Sequence, residues 1–395
     1  MTSVLVTSGG ERAALATVRS LGRAGYRVHV CSHRASSLAG ASRYAESKHA
    51  VPSPLTSPES FADAVAGLVR ALDVDVLLPV TDAAVWAVLS HQARLGSVCI
   101  PFPGLAAFQG LSDKAKVGAA ARTVGIRTPK ERLVFSPDQD DVKTLAGLEF
   151  PVIVKPRCSI IRRNGRLEGT SVSRVEDQEG LIRKLHTIPL EAFPVLVQRM
   201  VPGQGLGVFL LVWDGRLTAA FAHRRVREKP PSGGVSVLRE SVPLPQPLLE
   251  KCLRLLEAFG WNGVAMIEFK GESLEDDPVL MEVNARFWGS LQLAVDCGVD
   301  FPQLLVSEAI GQPVGPVMTY PTGRQSRWFW GEVDHLLARL RKPRNGRRGP
   351  PAPGGRTTAL MDFARGFSPG VRSEVFRWSD PAPAIIETVR WIFQR

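Results

Sequence analysis

Short apolar runs typical of strands alternate, over the first hundred residues, with stretches whose apolar positions recur at helical spacing. The predicted strands cover residues 4–7, 26–32, 74–80 and 97–101, and the predicted helices cover 13–24, 58–71 and 83–95. This alternation predicts a doubly wound, Rossmann-like α/β domain. Thr81 and Asp82 follow a central strand, where ligands of such sheets bind, but Asp82 could equally cap the following helix.

Ser8, Gly9 and Gly10 follow the first predicted strand, at a helix N-terminus that could accept an anion. The spacing G-x-G-x-x-G is absent, so the sequence gives little support to a dinucleotide site.

Beyond residue 104 the pattern favours a mixture of helices and hairpin strands. Ser112 is a candidate N-cap of a helix that Gly125 ends, and Asp214-Gly215 between alternating apolar runs predicts a type I′ hairpin. Further helices are predicted over 177–186 and 248–259, and further strands over 150–156 and 194–200. These elements predict an α+β region after the α/β domain.

Two strands, predicted over 264–269 and 278–283, carry acidic residues on a face that is otherwise apolar. Alternation places Glu268 with Met266, and it places Glu282 with Asn284. Because a carboxylate on such a face is costly unless it is paired or binds a metal, these oxygens predict a Mg²⁺ site. The alternative is an open sheet face where both carboxylates pair with arginine. Arg286 lies where it could bind a phosphate.

Two lysines stand at positions that need an explanation. Lys114 lies in the first turn of a predicted helix, where its charge opposes the helix dipole, so it is either very exposed or has another use. Lys155 ends an apolar strand before Pro156, and it either reaches solvent or offers a charge to a phosphate.

Composition and charge exclude few classes. The formal charge is +11, and six basic residues fall between Arg339 and Arg348, which predicts a solvated basic loop rather than a nucleic-acid site because no aromatic residues are interleaved. The five cysteines form no C-x-x-C pair and read as reduced thiols. No apolar run approaches 18 residues and no signal segment opens the chain, so we expect a cytoplasmic protein without membrane contact.

The sequence E-F-K at 268–270, followed by M-E-V-N-A-R at 281–286, resembles the metal-binding end of the ATP-grasp superfamily. D-K at 113–114 with G-I-R-T-P at 125–129, and F-P-V-I-V-K-P at 150–156, extend the resemblance. It implies a Rossmann-like domain at 1–104 and an ATP-grasp domain at 105–315, with lobes at about 105–195 and 196–315. A C-terminal extension at 316–395, irregular and with a basic Pro- and Gly-rich linker, has no assigned chemical role.

The resemblance also implies a site. Glu268, Glu282 and Asn284 would hold Mg²⁺ (Mn²⁺ is an alternative) against ATP, with Lys155 and Arg286 acting in catalysis. The predicted ATP-binding residues are Lys114, Lys155, Gln198, Arg199, Val201 and Gln204, with adenine read by backbone groups because Arg199 stands where many relatives carry Glu. Residues 157–170 would form a flap. A substrate cradle would use His223, Arg225, Arg227, Gly233 and Gly234, although this charge run could be a solvated face and His223 a structural hydrogen-bonder.

By the same resemblance, the protein joins a small-molecule carboxylate to an amine through an acyl phosphate and releases ADP and phosphate, with a homodimer allowed. Three alternatives stay open. One is a carboxylase or carbamoyl-phosphate-type enzyme, although no biotinylation motif is present. Another is a non-catalytic nucleotide-binding protein. The last is a NAD-dependent oxidoreductase, against which the missing G-x-G-x-x-G and the Glu268, Glu282 and Asn284 set both argue.

Overall fold

The computed structural model describes residues 1–34, 36–138, 145, 147–231, 233–341 and 355–393. Four parallel strands open the chain: β1 (Ser3–Val6), β2 (Arg27–Ser32), β3 (Ser47–Ala50) and β4 (Val76–Leu78), in the order β3-β2-β1-β4. Helices α1 (Arg12–Arg23), α2 (Pro58–Ala71) and α3 (Asp82–Ser90) accompany them. The predicted α/β domain is therefore present, with β3 as a strand that the apolar pattern did not predict.

Two local predictions in this region need correction. Residues 97–101 supply only the parallel bridge between Cys99 and Val76. Thr81 rather than Asp82 caps α3, because the Thr81 hydroxyl accepts a hydrogen bond from the Ala84 N–H at 3.3 Å. As the first helical residue, Asp82 keeps its carboxylate free to point elsewhere.

The next region combines helices with a four-stranded antiparallel sheet. Its helices are α4 (Leu105–Ser112), α5 (Lys114–Thr123) and α6 (Gln178–His186). The sheet has the order β5-β10-β6-β9, from β5 (Glu131–Val134), β6 (Val152–Pro156), β9 (Ser173–Val175) and β10 (Val195–Arg199), while β7 (Ile160–Arg163) and β8 (Arg166–Gly169) form a separate hairpin. Asp113, and not Ser112, caps α5 by accepting from the backbone N–H of Ala115 and Lys116.

A seven-stranded sheet is the centre of the remaining part of the protein. Its order is β15-β14-β11-β12-β13-β16-β17, built from β11 (Gln204–Trp213), β12 (Arg216–Lys229), β13 (Val235–Ser241), β14 (Gly263–Gly271), β15 (Val279–Asn284), β16 (Gln325–Arg327) and β17 (Val371–Ser373). The type I′ turn between β11 and β12 is confirmed, because Asp214 and Gly215 have φ of 49° and 75°.

Both faces of this large sheet are covered. One face packs against α1 and against α8 (Leu291–Asp296) and α9 (Phe301–Ala309), with Phe209 and Trp288 in that core. The other face packs against α4, α5 and α7 (Gln246–Glu257), with Ile267 and Phe269 in that core. Polar side chains on the sheet are therefore enclosed, which makes unpaired charge there costly.

The C-terminal extension is not irregular where the structure describes it. It contributes β16 and β17 to the large sheet and adds α10 (Phe329–Leu340), α11 (Arg356–Arg365) and α12 (Ala382–Phe393). Buried Arg239 of β13 pairs with Glu374 of the extension. The predicted linker falls largely on residues 342–354, outside the described residues. Within the described part of the chain, no helix is long and apolar enough to cross a membrane.

Candidate active site

Strands β14 and β15 bring two carboxylates face to face. Glu268 lies directly opposite Glu282 in antiparallel register, two residues beyond the pair formed by Met266 and Asn284. The Asn284 side-chain amide donates a 2.9 Å hydrogen bond to Glu268 Oε1. Two like charges directly opposite each other destabilise a sheet, so the pair needs cations nearby. We call Glu268 and Glu282 the carboxylate pair.

Each member of the carboxylate pair has its own cation. Arg225 on β12 binds Glu268 Oε2 at 2.5 Å, and the Lys114 ammonium lies 3.2 Å from Glu282 Oε2. Burial raises the pKa of Glu268 above its ordinary value, in spite of Arg225. Burial alone would also raise the pKa of Glu282, but Lys114 and Lys155 bring that pKa below its ordinary value. The carboxylate pair is therefore half-buried among cations and does not lie on an open sheet face.

The two candidate phosphate-binding lysines are both buried. Lys114 is 8% exposed and also donates to Ser159 Oγ at 3.1 Å, so it is not the exposed first-turn lysine that the sequence allowed. Lys155 is 5% exposed and donates to the Met281 carbonyl at 3.2 Å, so it does not reach solvent. Burial lowers the pKa of Lys155 to about 8. An anion binding beside these lysines would relieve part of the cost of burying them.

Arg286 is fixed by three groups. Its Nε donates to Asp82 Oδ2 at 2.8 Å, its Nη2 donates to Asn284 Oδ1 at 3.1 Å, and its Nη1 donates to the Phe287 carbonyl at 2.8 Å. Asp82 comes from the carboxyl edge of the first sheet, 204 residues away. The guanidinium is therefore oriented before any ligand arrives, and Asp82 joins the site as the residue that orients it.

The donor set suits a hard divalent cation. Glu268 and Glu282 offer carboxylate oxygens, whereas Asn284 turns its amide nitrogen to Glu268 and its oxygen accepts from Arg286, so Asn284 would have to turn to bind a metal. Among the described residues, no group of three His, Cys, Asp or Glu side chains could hold a metal ion. Mg²⁺ commonly takes one or two carboxylates and completes its shell with waters and substrate phosphates. The residues present therefore fit Mg²⁺ bound together with a phosphate ligand, and they do not resemble a closed protein cage.

The predicted adenine hinge lies where β10 of the four-stranded sheet leads into β11 of the large sheet. Gln198 is 5% exposed and donates to Glu131 Oε2 at 2.6 Å, whereas Gln204 donates to the Glu272 carbonyl. The Arg199 backbone N–H already donates to the Lys130 carbonyl at 2.9 Å, so that group is not available to a base edge. Val201 follows in the turn between the strands.

Replacing Arg199 with Ala is expected to change nucleotide affinity by less than about threefold. The Arg199 side chain is exposed and pairs with Glu149 at 2.9 Å, and exposed pairs contribute about 1 kcal/mol or less. Nucleotide titration of the variant and the parent protein checks this. A loss as large as that caused by replacing Lys155 would show that the Arg199 side chain itself reads the base.

The five residues of the predicted substrate cradle are not gathered at one point. His223 is 1% exposed and packs edge-on against Phe209, and burial lowers the pKa of its ring well below the ordinary value. Arg225 binds Glu268, but Arg227 binds Glu332 of the C-terminal extension. Gly233 and Gly234 lie in the β12–β13 turn, where a Cβ on Gly234 would come within 2.3 Å of the Lys229 carbonyl oxygen. Arg225 alone reaches the carboxylate pair.

The predicted flap is the β7–β8 hairpin. Asn164 and Gly165 form its turn, both with positive φ, and the Leu167 N–H donates to the Leu55 carbonyl of the first domain at 2.7 Å. Ser159, just before the hairpin, bonds Lys114. The β7–β8 hairpin and the residue before it therefore connect Lys114 to the first domain.

A cavity of about 630 Å³, which we call the Arg286 cavity, opens beside Asp82 and Arg286. Its walls include Arg12, Asp82 and Arg286, together with six residues of the C-terminal extension: Trp328, Trp330, Asp334, Glu387, Arg390 and Trp391. Sequence reasoning assigned these six no role. The concentration of tryptophan in the extension was the available signal, since it holds several of the eight in the chain.

Residues 191–329 match a family model described as ATP-grasp in the biosynthetic pathway with Ter operon. No curated protein matches the chain by sequence.

Three solved structures illustrate the likeness in fold. An L-amino acid ligase from Bacillus licheniformis shares 17% identity with a TM-score of 0.60, over 80% of this chain and 75% of that one. The biotin carboxylase domain of the Hydrogenobacter thermophilus 2-oxoglutarate carboxylase, solved with MgADP and bicarbonate, shares 12% with a TM-score of 0.62, over 82% and 73%. The N5-carboxyaminoimidazole ribonucleotide synthetase of Thermus thermophilus shares 15% with a TM-score of 0.58, over 82% and 81%. The predicted fold, α/β and α+β with a Rossmann-like first domain, is confirmed.

Proposed function

We propose that this protein, an ATP-dependent enzyme of the ATP-grasp superfamily, is a ligase that joins a carboxylate to an amine and releases ADP and phosphate. The L-amino acid ligase of similar fold supports this choice, although carboxylases share the fold as well. The domain boundaries at residues 104 and 315 form part of the same proposal.

The observation that carries the proposal is the cluster of the buried Lys114 and Lys155 with the half-buried Glu282. Two buried lysines face one carboxylate, 3.2 Å from the nearer lysine, and Arg286 adds to the attraction on Glu282. Two buried ammonium groups that act on the same carboxylate favour a multiply charged anion such as a nucleotide triphosphate. Glu268, Glu282 and Asn284 would hold Mg²⁺, which when bound offsets phosphate charge.

The proposed chemistry has two transfers. A substrate carboxylate oxygen attacks the γ-phosphorus of ATP, the bond from that phosphorus to the β–γ bridging oxygen breaks, and ADP leaves. The amine nitrogen then attacks the acyl carbon, the bond to the phosphate oxygen breaks, and the nitrogen releases its extra proton. Lys114, Lys155 and Arg286 orient the phosphates and offset the charge that builds up on the transferring group.

Trapping the acyl phosphate tests the proposal directly. Hydroxylamine is a strong small nucleophile, so the protein with Mg-ATP, hydroxylamine and pools of carboxylic acids is expected to form hydroxamates together with ADP. Omitting the acid should abolish both products. ADP release that needs bicarbonate and yields no hydroxamate with any pool would instead identify a carboxylating enzyme, and nucleotide binding without ADP release would identify a non-catalytic protein.

A further inference from the structure

The Arg286 cavity extends from Arg286 to residues of the C-terminal extension. Asp82 and Arg286 lie at one part of its wall, and Trp330, Glu387 and Trp391 lie at another. A volume of about 630 Å³ accommodates a small organic molecule. The proposed reaction needs space for a substrate beside Arg286, and this cavity provides it.

Most of the charges in the cavity wall are already paired. Arg286 binds Asp82 at 2.8 Å, Lys229 binds Asp334, and Arg12 binds Glu374 at 2.6 Å. Arg390 of the wall donates to the Ser36 carbonyl. Among the described residues, the charged wall residues that form no ion pair are Glu11, Glu387 and Arg390. The wall's remaining groups therefore decide which charge a ligand should carry.

Glu387 differs from Asp82 and Asp334, the other half-buried acids of the wall, because among the described residues it has no ion-pair partner. Its Oε1 accepts a 2.7 Å hydrogen bond from the neutral indole N–H of Trp328, and within the described part of the chain no lysine or arginine forms an ion pair with it. Burial raises the pKa of Glu387 to about 7, although Trp328 and Arg12 lower it. A half-buried carboxylate without an ion-pair partner is destabilised, and an organic ammonium ion would supply that partner.

Two indole rings beside Glu387 are held in fixed positions. Trp330 and Trp391 stack with centroids 3.9 Å apart. The Trp330 N–H donates to Thr388 Oγ1 at 3.0 Å, and the Trp391 N–H donates to Asp334 Oδ1 at 3.1 Å. Rings anchored in this way offer an apolar surface, and aromatic ligands gain from packing against it.

We propose that the amine substrate binds in the Arg286 cavity as an organic ammonium ion with an aromatic or other apolar body, its charge at Glu387 and its body against Trp330 and Trp391. The assignment rests on the proposed ligase function and specifies its amine. It also gives the C-terminal extension a role in substrate recognition.

Binding of 2-phenylethylamine by the full-length protein, measured by calorimetry without ATP, tests the assignment. The amine should bind more tightly than 3-phenylpropanoate, which has a similar body and the opposite charge, and more tightly than butylamine, which lacks the ring. Equal or tighter binding of the carboxylate would overturn the proposal, and so would an absence of amine binding.

The variant Glu387→Gln should weaken 2-phenylethylamine binding about tenfold or more, because hydrogen bonds to charged groups are worth more than neutral ones. The matched control is Glu11→Gln, which removes the same charge from an exposed position in the same cavity wall and should change affinity less than twofold. Equal losses in the two variants would mean that the amine senses only the general charge of the cavity, which contradicts the assignment.

Thermal unfolding across pH checks that Glu387→Gln still folds. The folded pKa of Glu387 is raised from 4.5 to about 7, with Arg12 of α1 and Glu374 after β17 as the charged groups that act on it. The folded state therefore holds a proton that the unfolded state releases between pH 4.5 and 7, and this carboxyl costs stability as pH rises through that window. The variant should gain melting temperature over the parent protein as pH rises from 4.5 to 7. A lower melting temperature than the parent at pH 8 would contradict the half-buried, unpaired carboxylate.

The two proposals fail separately. Amine binding is measured without turnover, and hydroxamate formation is measured without the natural amine. Hydroxamate formation with no binding of 2-phenylethylamine would leave the ligase standing and remove this amine site. Amine binding that depends on Glu387, without hydroxamate, would remove the ligase and leave an ammonium site.

Discussion

Replacing Glu282 with Gln is expected to lower ATP turnover about 100-fold or more, with the fold intact. The change keeps the shape of the side chain and removes a charge that would act where phosphoryl charge develops, and single electrostatic groups in such positions have effects of this size. Glu282 lies opposite Glu268 and 3.2 Å from the Lys114 ammonium. If Glu282 holds Mg²⁺, raising the magnesium concentration should restore part of the activity.

Glu240→Gln is the matched control. Glu240 is a strand glutamate on the same sheet, and it pairs with Arg224 at 2.8 Å in an ordinary ion pair. Its replacement should cost about 1 kcal/mol or less and leave turnover unchanged. Measuring melting temperature and ATP turnover of both variants across a magnesium series decides the matter. Near-normal turnover of Glu282→Gln at every magnesium concentration would remove the metal-site interpretation.

Lys155→Met is expected to weaken ATP binding about 100-fold while leaving melting temperature unchanged or higher. Lys155 is 5% exposed on an apolar strand, and its pKa of about 8 shows that burial works against its charge. Methionine has a similar length and no charge, so it should be tolerated in this position. Groups kept at a cost to stability are typical of functional sites. Glu282 would keep Lys114 as its partner in the variant.

The control for this variant is Lys130→Met, which removes an exposed lysine close to the same sheet. It should change neither ATP affinity nor melting temperature appreciably. Nucleotide titration and thermal unfolding of the two variants provide the comparison. A large fall in melting temperature for Lys155→Met, with ATP affinity unchanged, would show that Lys155 has a structural role instead.

The sequence by itself determined the local architecture. Helical spacing located α2 at residues 58–71, and the Asp214-Gly215 pair determined a type I′ turn, because φ of both residues must be positive there. Alternation also indicated that Glu268 and Glu282 lie on a shared face, since successive strand side chains point to opposite sides. These features depend on neighbours within a few residues, so they can be read from the chain.

Sequence reasoning went wrong where two local signals competed or where the pattern was weak. Ser112 and Asp113 are both acceptable helix caps, and only the backbone geometry decides for Asp113. The extension after residue 316 lacks long apolar strands, so nothing local indicates that β16 and β17 extend the large sheet. Three-residue strands are specified mainly by the sheet edge that they join.

Only the tertiary structure decided how the charges meet. Arg286 is oriented by Asp82, which lies 204 residues earlier, and Arg225 on β12 binds Glu268 on β14, 43 residues later. Glu387 reaches the Arg286 cavity from the far end of the chain. Periodicity specifies which face of an element a residue occupies, but it cannot specify which distant element covers that face. Burial and ion pairing depend on that second choice, so the pKa values and the partners of these side chains arise only from the folded chain.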